Sequence, residues 1–283
     1  MQIKRLNTTY FRDELPTDGH SPMFFLCSDG CNYYLKYLSG LSFNKLEIHC
    51  LVYEIVCSRL LQHFEIPTPE IAIATLNKDS YDVKSLKRNR RKALPGSQCF
   101  ASKEIIDADL LRDTEIINRK KEFNKYSNKQ DLIRIALFDL WVDNKDRKEG
   151  NYNLLTHLEN DRKKIYAFDH AFTFGGLEEL NIFNPNSEVS PYKKLITSIF
   201  FKSFVKHLTK AERLYIVKEF VSRIKDSEPE IKDIIEDVFK QIPAEWQVQA
   251  GLKERIIGFL LSPIRIQKLN LEAVNILKKT FKI

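Results

Sequence analysis

A chain of 283 residues with 43% hydrophobic and 11% aromatic side chains carries enough apolar surface for a sizeable core, which excludes wholesale disorder. No apolar run approaches the roughly 18 residues that span a bilayer, and the opening MQIKRLNTTYFRDE lacks the apolar centre of a signal peptide, so a soluble, cytoplasmic protein without a membrane role is expected. The net charge of +7 suits an enzyme that handles nucleotides or acidic partners as well as it suits weak nucleic-acid binding.

The opening hundred residues read mostly as strand. MFFLCSD and CNYYLKYL are apolar, aromatic runs joined through Asp29-Gly30, a dipeptide that favours a tight hairpin turn. After Gly40, KLEIHCLVYEIVCSRLLQHF carries apolar residues at helical spacing, with Asn44 as N-cap and Ile66-Pro67 as terminator; one long amphipathic helix is expected. EIAIATL and SQCFASKEII read as further strands. All five cysteines fall in this part, without a CxxC pair. Reduced thiols fit that pattern; Cys50 and Cys57 share one helix face, and Cys27 and Cys31 lack the further ligands a metal would need.

Between the last two strands, SYDVKSLKRNRRKALPG holds Lys84, Lys87, Arg88, Arg90, Arg91 and Lys92, the densest basic run in the chain. It reads either as a solvated face or as a clamp for phosphate, nucleic acid or an acidic partner, and no aromatic residue interrupts it to stack on bases. From about residue 106 onward the pattern turns predominantly helical. DLIRIALFDLWV is apolar at helical spacing, and helices are expected over 191–207, 210–225, 228–241, 251–262 and 267–281. The fold class expected is α+β and two-lobed: residues 1–105 as a strand-rich lobe with one helix, 106–283 as a helical lobe, meeting near residues 100–106.

The chemistry concentrates in LFDLWVDNKDRKEGNYNLL and KKIYAFDHAFTFGG. After an apolar helix, Asp143, Asn144, Asp146, Arg147, Glu149, Asn151 and Asn153 crowd a short polar loop, followed by hairpin strands and then Asp169 in strand-like, apolar surroundings. Phosphoryl transfer asks for a carboxylate that accepts or orients the proton of the attacking hydroxyl, together with hard oxygen ligands for Mg²⁺ at the ATP phosphates. Asp146 and Asn151 have the five-residue offset of a kinase catalytic loop, and Asp169 takes the place of the downstream metal ligand. Asp146 is then the base or orienter, with Asn151 and Asp169 as metal ligands; His170 either packs or contacts a ligand.

Lys36, in Tyr-Tyr-Leu-Lys36-Tyr, reads as a strand lysine that meets the ATP phosphates, or else as a snorkelling surface lysine. Its glutamate partner is Glu54, embedded in apolar LVYEIVCSRLL, in preference to Glu47, which reads as surface charge complementing the helix dipole. Phe100, Ala101, Ser102, Lys103 and Glu104 lead from one lobe to the other and would offer backbone groups to adenine.

FDLWVDNKDRKEGNYNLL and IYAFDHAF, with NYYLKY and VYEIVCSRLLQHFEIPTPEIA upstream and IPAEW downstream, resemble the HipA-like kinases, relatives of the protein-kinase and phosphatidylinositol-kinase folds. The resemblance covers most of the chain. It implies a two-lobed fold, ATP with Mg²⁺, and transfer to a protein Ser or Thr, sometimes of the kinase itself. An Asp-Arg-x-x-x-Asn loop replaces His-Arg-Asp in that group, which pairs Arg147 with Asp146 as a catalytic residue. The chain departs in lacking GxGxxG: Gly19, with Ser21 nearby, stands in the phosphate-covering turn. Asp-His-Ala replaces Asp-Phe-Gly. Two other readings remain: a non-catalytic module holding nucleic acid or a partner on the basic run, and a lipid or small-molecule kinase.

Overall fold

The computed structural model describes residues 2–17, 20–38, 47–112, 114–175 and 183–281, so Gly19 and the expected cap Asn44 lie outside the described residues. Five strands, β1 (Lys4–Glu14), β2 (Met23–Cys27), β3 (Asn32–Lys36), β4 (Ile71–Thr75) and β5 (Gln98–Lys103), close a barrel in the order β1-β2-β3-β5-β4. Strand β1 completes the closure by running parallel to β4 from Lys4↔Ala72 to Asn7↔Thr75. Closure is possible because small and large side chains alternate inside: Ala72 and Leu35 both face Ala101 in register, while Met23, Phe25 and Tyr33 fill the remaining space. At the β2–β3 turn Gly30 has φ 76°, and Asp29 accepts from Cys31 N (3.2 Å) and Tyr33 Oη (2.9 Å), as the turn dipeptide suggests.

Helix α1 (Glu47–His63) is not amphipathic in the sense expected. It is buried on nearly every face, since Ile48, Leu51, Val52, Ile55, Leu60 and Leu61 share one apolar core with the helices of the second half. Cys50 and Cys57 are in its buried interior. Glu47 corrects the reading as surface charge: it is only 3% exposed and lies 3.7 Å from His20 Nε2.

The second half places β6 (Asp109–Leu110), β7 (Leu154–Glu159) and β8 (Arg162–Ala167) in a small sheet among helices α2 (Lys120–Phe123), α3 (Asp131–Trp141), α4 (Ile199–Val205), α5 (Lys210–Asp226), α6 (Glu228–Gln241), α7 (Leu252–Leu260) and α8 (Pro263–Phe281). The helix expected over 191–207 is confined to α4. Ser198 caps it by accepting from Phe201 N (3.1 Å), and Leu195–Thr197 before it is a short 3-10 turn. Thr209 and Glu212 form a reciprocal capping box on α5, and proline opens α8.

Helix α3 carries the polar loop, and its own end is fixed by a buried cation. Arg265 of α8 donates to Trp141 O and Leu140 O, each at 2.7 Å, and its guanidinium stacks 3.9 Å above the Phe259 ring. Burial lowers its pKa to about 10, and the negative end of the α3 dipole helps hold the charge. Arg265→Met removes two hydrogen bonds from a charged donor and should lower stability by about 3 kcal/mol. A urea titration would read this as a lower midpoint at unchanged slope.

Candidate active site

Lys36 closes strand β3 in register with Phe100 and turns its side chain toward α1. Its ammonium meets Glu54 Oε1 at 2.6 Å and Asp169 Oδ1 at 2.8 Å. Glu54 also accepts from the backbone N–H of His170 at 2.8 Å, so one carboxylate ties β3 to the segment after β8. Burial opposes the charge on Lys36, but Asp169 and Glu54 more than offset it and hold the pKa above the ordinary lysine value. Asp169 shows the same contest: burial works against its carboxylate, and Lys36 keeps its pKa well below the usual range. Burial dominates at Glu54 and pushes its carboxyl up. Asp169 lies two residues past β8 rather than in a strand, in the left-handed region with φ 59°.

The polar loop sits beside this cluster. Asp146 N donates to Asn144 Oδ1 (3.0 Å), which fixes the backbone, and Asp146 Oδ2 accepts from Asn153 Nδ2 (3.2 Å), which orients the carboxylate. Asn151 pairs with Lys148 across a tight turn in which Gly150 has φ 85°, and its Nδ2 donates to Asp146 O at 3.3 Å. The Asn151 amide oxygen takes no part in these bonds.

Arg147 corrects the assignment as a catalytic group. It is fully buried, and every arm of its guanidinium points into the protein. Nε lies 2.8 Å from Asp139 Oδ2; Nη1 donates to Tyr152 O (2.7 Å) and Asn153 O; Nη2 donates to Phe168 O (2.9 Å) and His170 Nε2 (2.9 Å). An arginine can only donate, so His170 Nε2 accepts and the ring is neutral, consistent with burial and Arg147 holding its pKa well below the ordinary value. Arg147 is thus a positioning residue that joins the polar loop to the turn carrying Asp169, and His170 packs.

Two more assignments change. Ser21 is 1% exposed; its hydroxyl donates to Thr17 O (3.4 Å), its N donates to Thr17 Oγ1 (3.0 Å) and its backbone O accepts from Asn89 Nδ2 (2.7 Å), so the hydroxyl is turned inward rather than toward phosphates. The backbone of Phe100, Ala101, Ser102 and Lys103 is taken up between β3 and β4, and the N–H groups of Lys103 and Glu104 donate to Glu70 O (2.8 Å) and Asn32 O (2.9 Å). Past Glu104 the chain turns over residues 105–108, where Ala108 N donates to Ile105 O (3.2 Å).

Sequence reasoning missed His20, Asp139 and Lys194. His20 is 4% exposed, packs 6.1 Å from the Phe172 ring, and has a pKa lowered to about 4 by burial and the nearby Lys36. Lys194 Nζ meets Asp143 Oδ1 at 2.6 Å under the polar loop, and Leu195 N donates to Arg147 O (2.9 Å). Only Asp139 had a local signal, as a carboxylate on the apolar face of a helix. The other two come from distant segments.

A family model described as HipA-like kinase matches residues 17–271. No curated protein matches the chain. Among solved structures, the Helicobacter pylori proinflammatory kinase CtkA aligns over 97% of this chain and 99% of its own, with a TM-score of 0.58 at 13% identity. That match shows a shared kinase fold. The Golgi casein kinase with Mn/ADP bound aligns over 96% of this chain and 74% of its own (TM-score 0.45, 11% identity). The toxin–antitoxin protein HipA of Shewanella oneidensis MR-1, solved with HipB and operator DNA, aligns over 89% and 60% (TM-score 0.38, 10% identity).

Removing one member of a buried ion pair strands the other, whereas replacing both is milder. Arg147→Met should therefore destabilise by about 3–5 kcal/mol, and adding Asp139→Leu should recover part of that loss in a double-mutant cycle. His20 gives a pH signature. Its folded pKa of about 4 is below the unfolded value near 6.5, so its contribution to stability is complete above about pH 6.5 and lost as pH falls through 4. His20→Asn should flatten the slope of stability against pH in that window, measured by urea titration at pH 5 and 7.

Proposed function

The chain belongs to the HipA-like kinase family, and from that premise we propose that it is an active phosphotransferase that moves the γ-phosphoryl group of ATP to a protein Ser or Thr hydroxyl, its own included. The observation that carries this reading is the Lys36 ammonium shared at 2.6 and 2.8 Å between Glu54 and Asp169. A buried cation fixed in this way has no packing role that an apolar side chain would not fill better. It is suited to receive the anionic phosphates of a nucleotide.

Asp146, oriented by Asn153, accepts the proton of the attacking hydroxyl or directs it. Lys36 holds the α- and β-phosphates, and Glu54 keeps the ammonium in place. Adenine is read by backbone groups of residues 105–108. The carboxylate of Asp169 and the amide oxygen of Asn151 are hard donors of the kind Mg²⁺ takes alongside phosphate oxygens, so the residues fit that ion. When bound, Mg²⁺ neutralises phosphate charge. Arg147 acts through others: by fixing the carbonyls of Tyr152, Asn153 and Phe168 it sets the distance between the loop and Asp169.

Asp146→Ala should lower transfer from labelled ATP by about 10²–10⁴-fold with little change in nucleotide affinity, as loss of a general base does. Asp169→Asn should remove the Mg²⁺ dependence, and Lys36→Met should raise KM for ATP. Incubating the protein with labelled ATP, alone and with cell lysate, tests the reading; unchanged turnover in both aspartate variants would sink it.

A further inference from the structure

The basic run between β4 and β5 forms a built surface beside the cleft. Its chain turns through three short 3-10 segments, at Lys78–Ser80, Val83–Ser85 and Asn89–Arg91, while Tyr81, Leu86 and Ala93 pack into the barrel core. One buried carboxylate, Glu14 at the end of β1, organises the far side. It accepts from the backbone N–H groups of Lys87, Arg88 (3.0 Å) and Asn89 (3.0 Å), and from Asn89 Nδ2 (2.8 Å). Three successive N–H groups on one carboxylate fix the backbone and send the intervening cationic side chains outward.

The same loop is fastened to the phosphate-covering turn. Asn89 Nδ2 donates to Ser21 O at 2.7 Å, and Arg88 Nη1 donates to Thr17 O. Beside Ser21, His20 reaches Glu47 at 3.7 Å and packs against Phe172, three residues after Asp169. The cations of the loop thus stand at the mouth of the proposed phosphotransfer site. Lys84, Lys87, Arg90, Arg91 and Lys92 are exposed, and among the described residues none of them has an ion-pair partner. The Glu14 carboxylate beneath them is occupied by backbone N–H groups, so among the described residues the side-chain cations of the loop outnumber its exposed acids, Asp79 and Asp82.

We propose that this loop, fastened to the phosphate-covering turn through Glu14 and Asn89, is a docking surface for an acidic peptide segment flanking the hydroxyl to be phosphorylated. The inference rests on the function proposed above. A peptide fits better than a nucleic acid because the loop's one aromatic side chain, Tyr81, packs against the barrel core with its hydroxyl on Ala93 O (2.9 Å), so the cations stand without a ring for a base to stack on. Its rigid attachment also means that whatever it binds is delivered to the cleft. Complementary charge of this kind governs encounter and specificity more than the chemical step, so it should act on KM.

The experiment compares serine peptides of equal length whose flanks are Glu, Gln or Lys, using the full chain and a variant with Arg90→Glu, Arg91→Glu and Lys92→Glu. The Glu-flanked peptide should show a KM about tenfold below the Gln-flanked one, and the variant should abolish that preference. Its kcat and peptide-free ATP hydrolysis should remain within about twofold of wild type, and 0.5 M salt should erase the difference. Fluorescence anisotropy with a labelled Glu-flanked peptide tests the surface separately from turnover. Salt-sensitive binding that survives Asp146→Ala and is lost in the triple variant supports docking even if no peptide is phosphorylated, which would count against the proposed function alone. Equal KM for Glu and Gln flanks, together with equal binding by wild type and variant, overturns the proposal. So does a triple variant that loses single-stranded RNA while its peptide kinetics and peptide binding stay unchanged.

Discussion

The structure depends on a cation that cannot be left alone. Lys36 is 7% exposed, and an unpaired ammonium there would be severely penalised, so the fold must bring acids to it from elsewhere. They come from α1 and from the turn after β8, and each imposes a condition on its own segment. Glu54 can reach Lys36 only if α1 lies flat against the barrel. Asp169 can do so only if the chain leaves β8 abruptly, which it does through a left-handed residue at φ 59°. That backbone conformation costs a non-glycine residue about 1 kcal/mol or more, and the ion pair together with the Glu54–His170 hydrogen bond over-determines it.

A second buried cation does for the polar loop what Lys36 does between the lobes. Arg147 has a carboxylate, three carbonyls and a neutral imidazole around it, drawn from α3, the loop, and the turn after β8. Lys194 and Asp143 repeat the device from below. Such contacts do little for net stability compared with apolar packing of the same volume, but each has one satisfactory geometry, and together they fix the polar loop against the turn that carries Asp169.

Legibility in the sequence followed the range of the interactions. That Asp146 to Asn151 form a polar loop could be read because its parts are neighbours in the chain, and the Glu54–Lys36 pair because a carboxylate inside LVYEIVCSRLL must answer to something. The kinase fold was legible from the same motifs with the order of strands and helices. Arg147 looked catalytic because its position in the loop says nothing of Asp139 beneath it. Glu47 looked like a surface charge because His20 approaches from a turn that sequence cannot place. The stretch 100–104 looked available to adenine because its burial as a central strand comes from pairing with β3 and β4, more than sixty and more than twenty residues earlier in the chain. Glu14 gave no signal, since its partners lie more than seventy residues away.

The barrel is attached to the helical half by different means on its two sides. On the α1 side the two halves share one apolar core, and α6 and the segment after it reach back to the sheet: Gln98 N donates to Glu245 Oε1 (2.6 Å), Trp246 Nε1 to Gln98 O (2.7 Å), and Ile3 N to Gln241 Oε1 (2.6 Å). Rotating one half against the other would break these bonds and expose core. On the opposite side, the basic loop is seated in the barrel core by Tyr81, Leu86 and Ala93 and tied to β1 and to the segment carrying Thr17 and Ser21, whose neighbour His20 packs against Phe172. Displacing the loop would therefore pull Leu86 and Ala93 out of the barrel core and break the buried Thr8–Ser80 bond (2.6 Å), so it is held in place relative to Lys36, Glu54 and Asp169, which the core behind them fixes in turn.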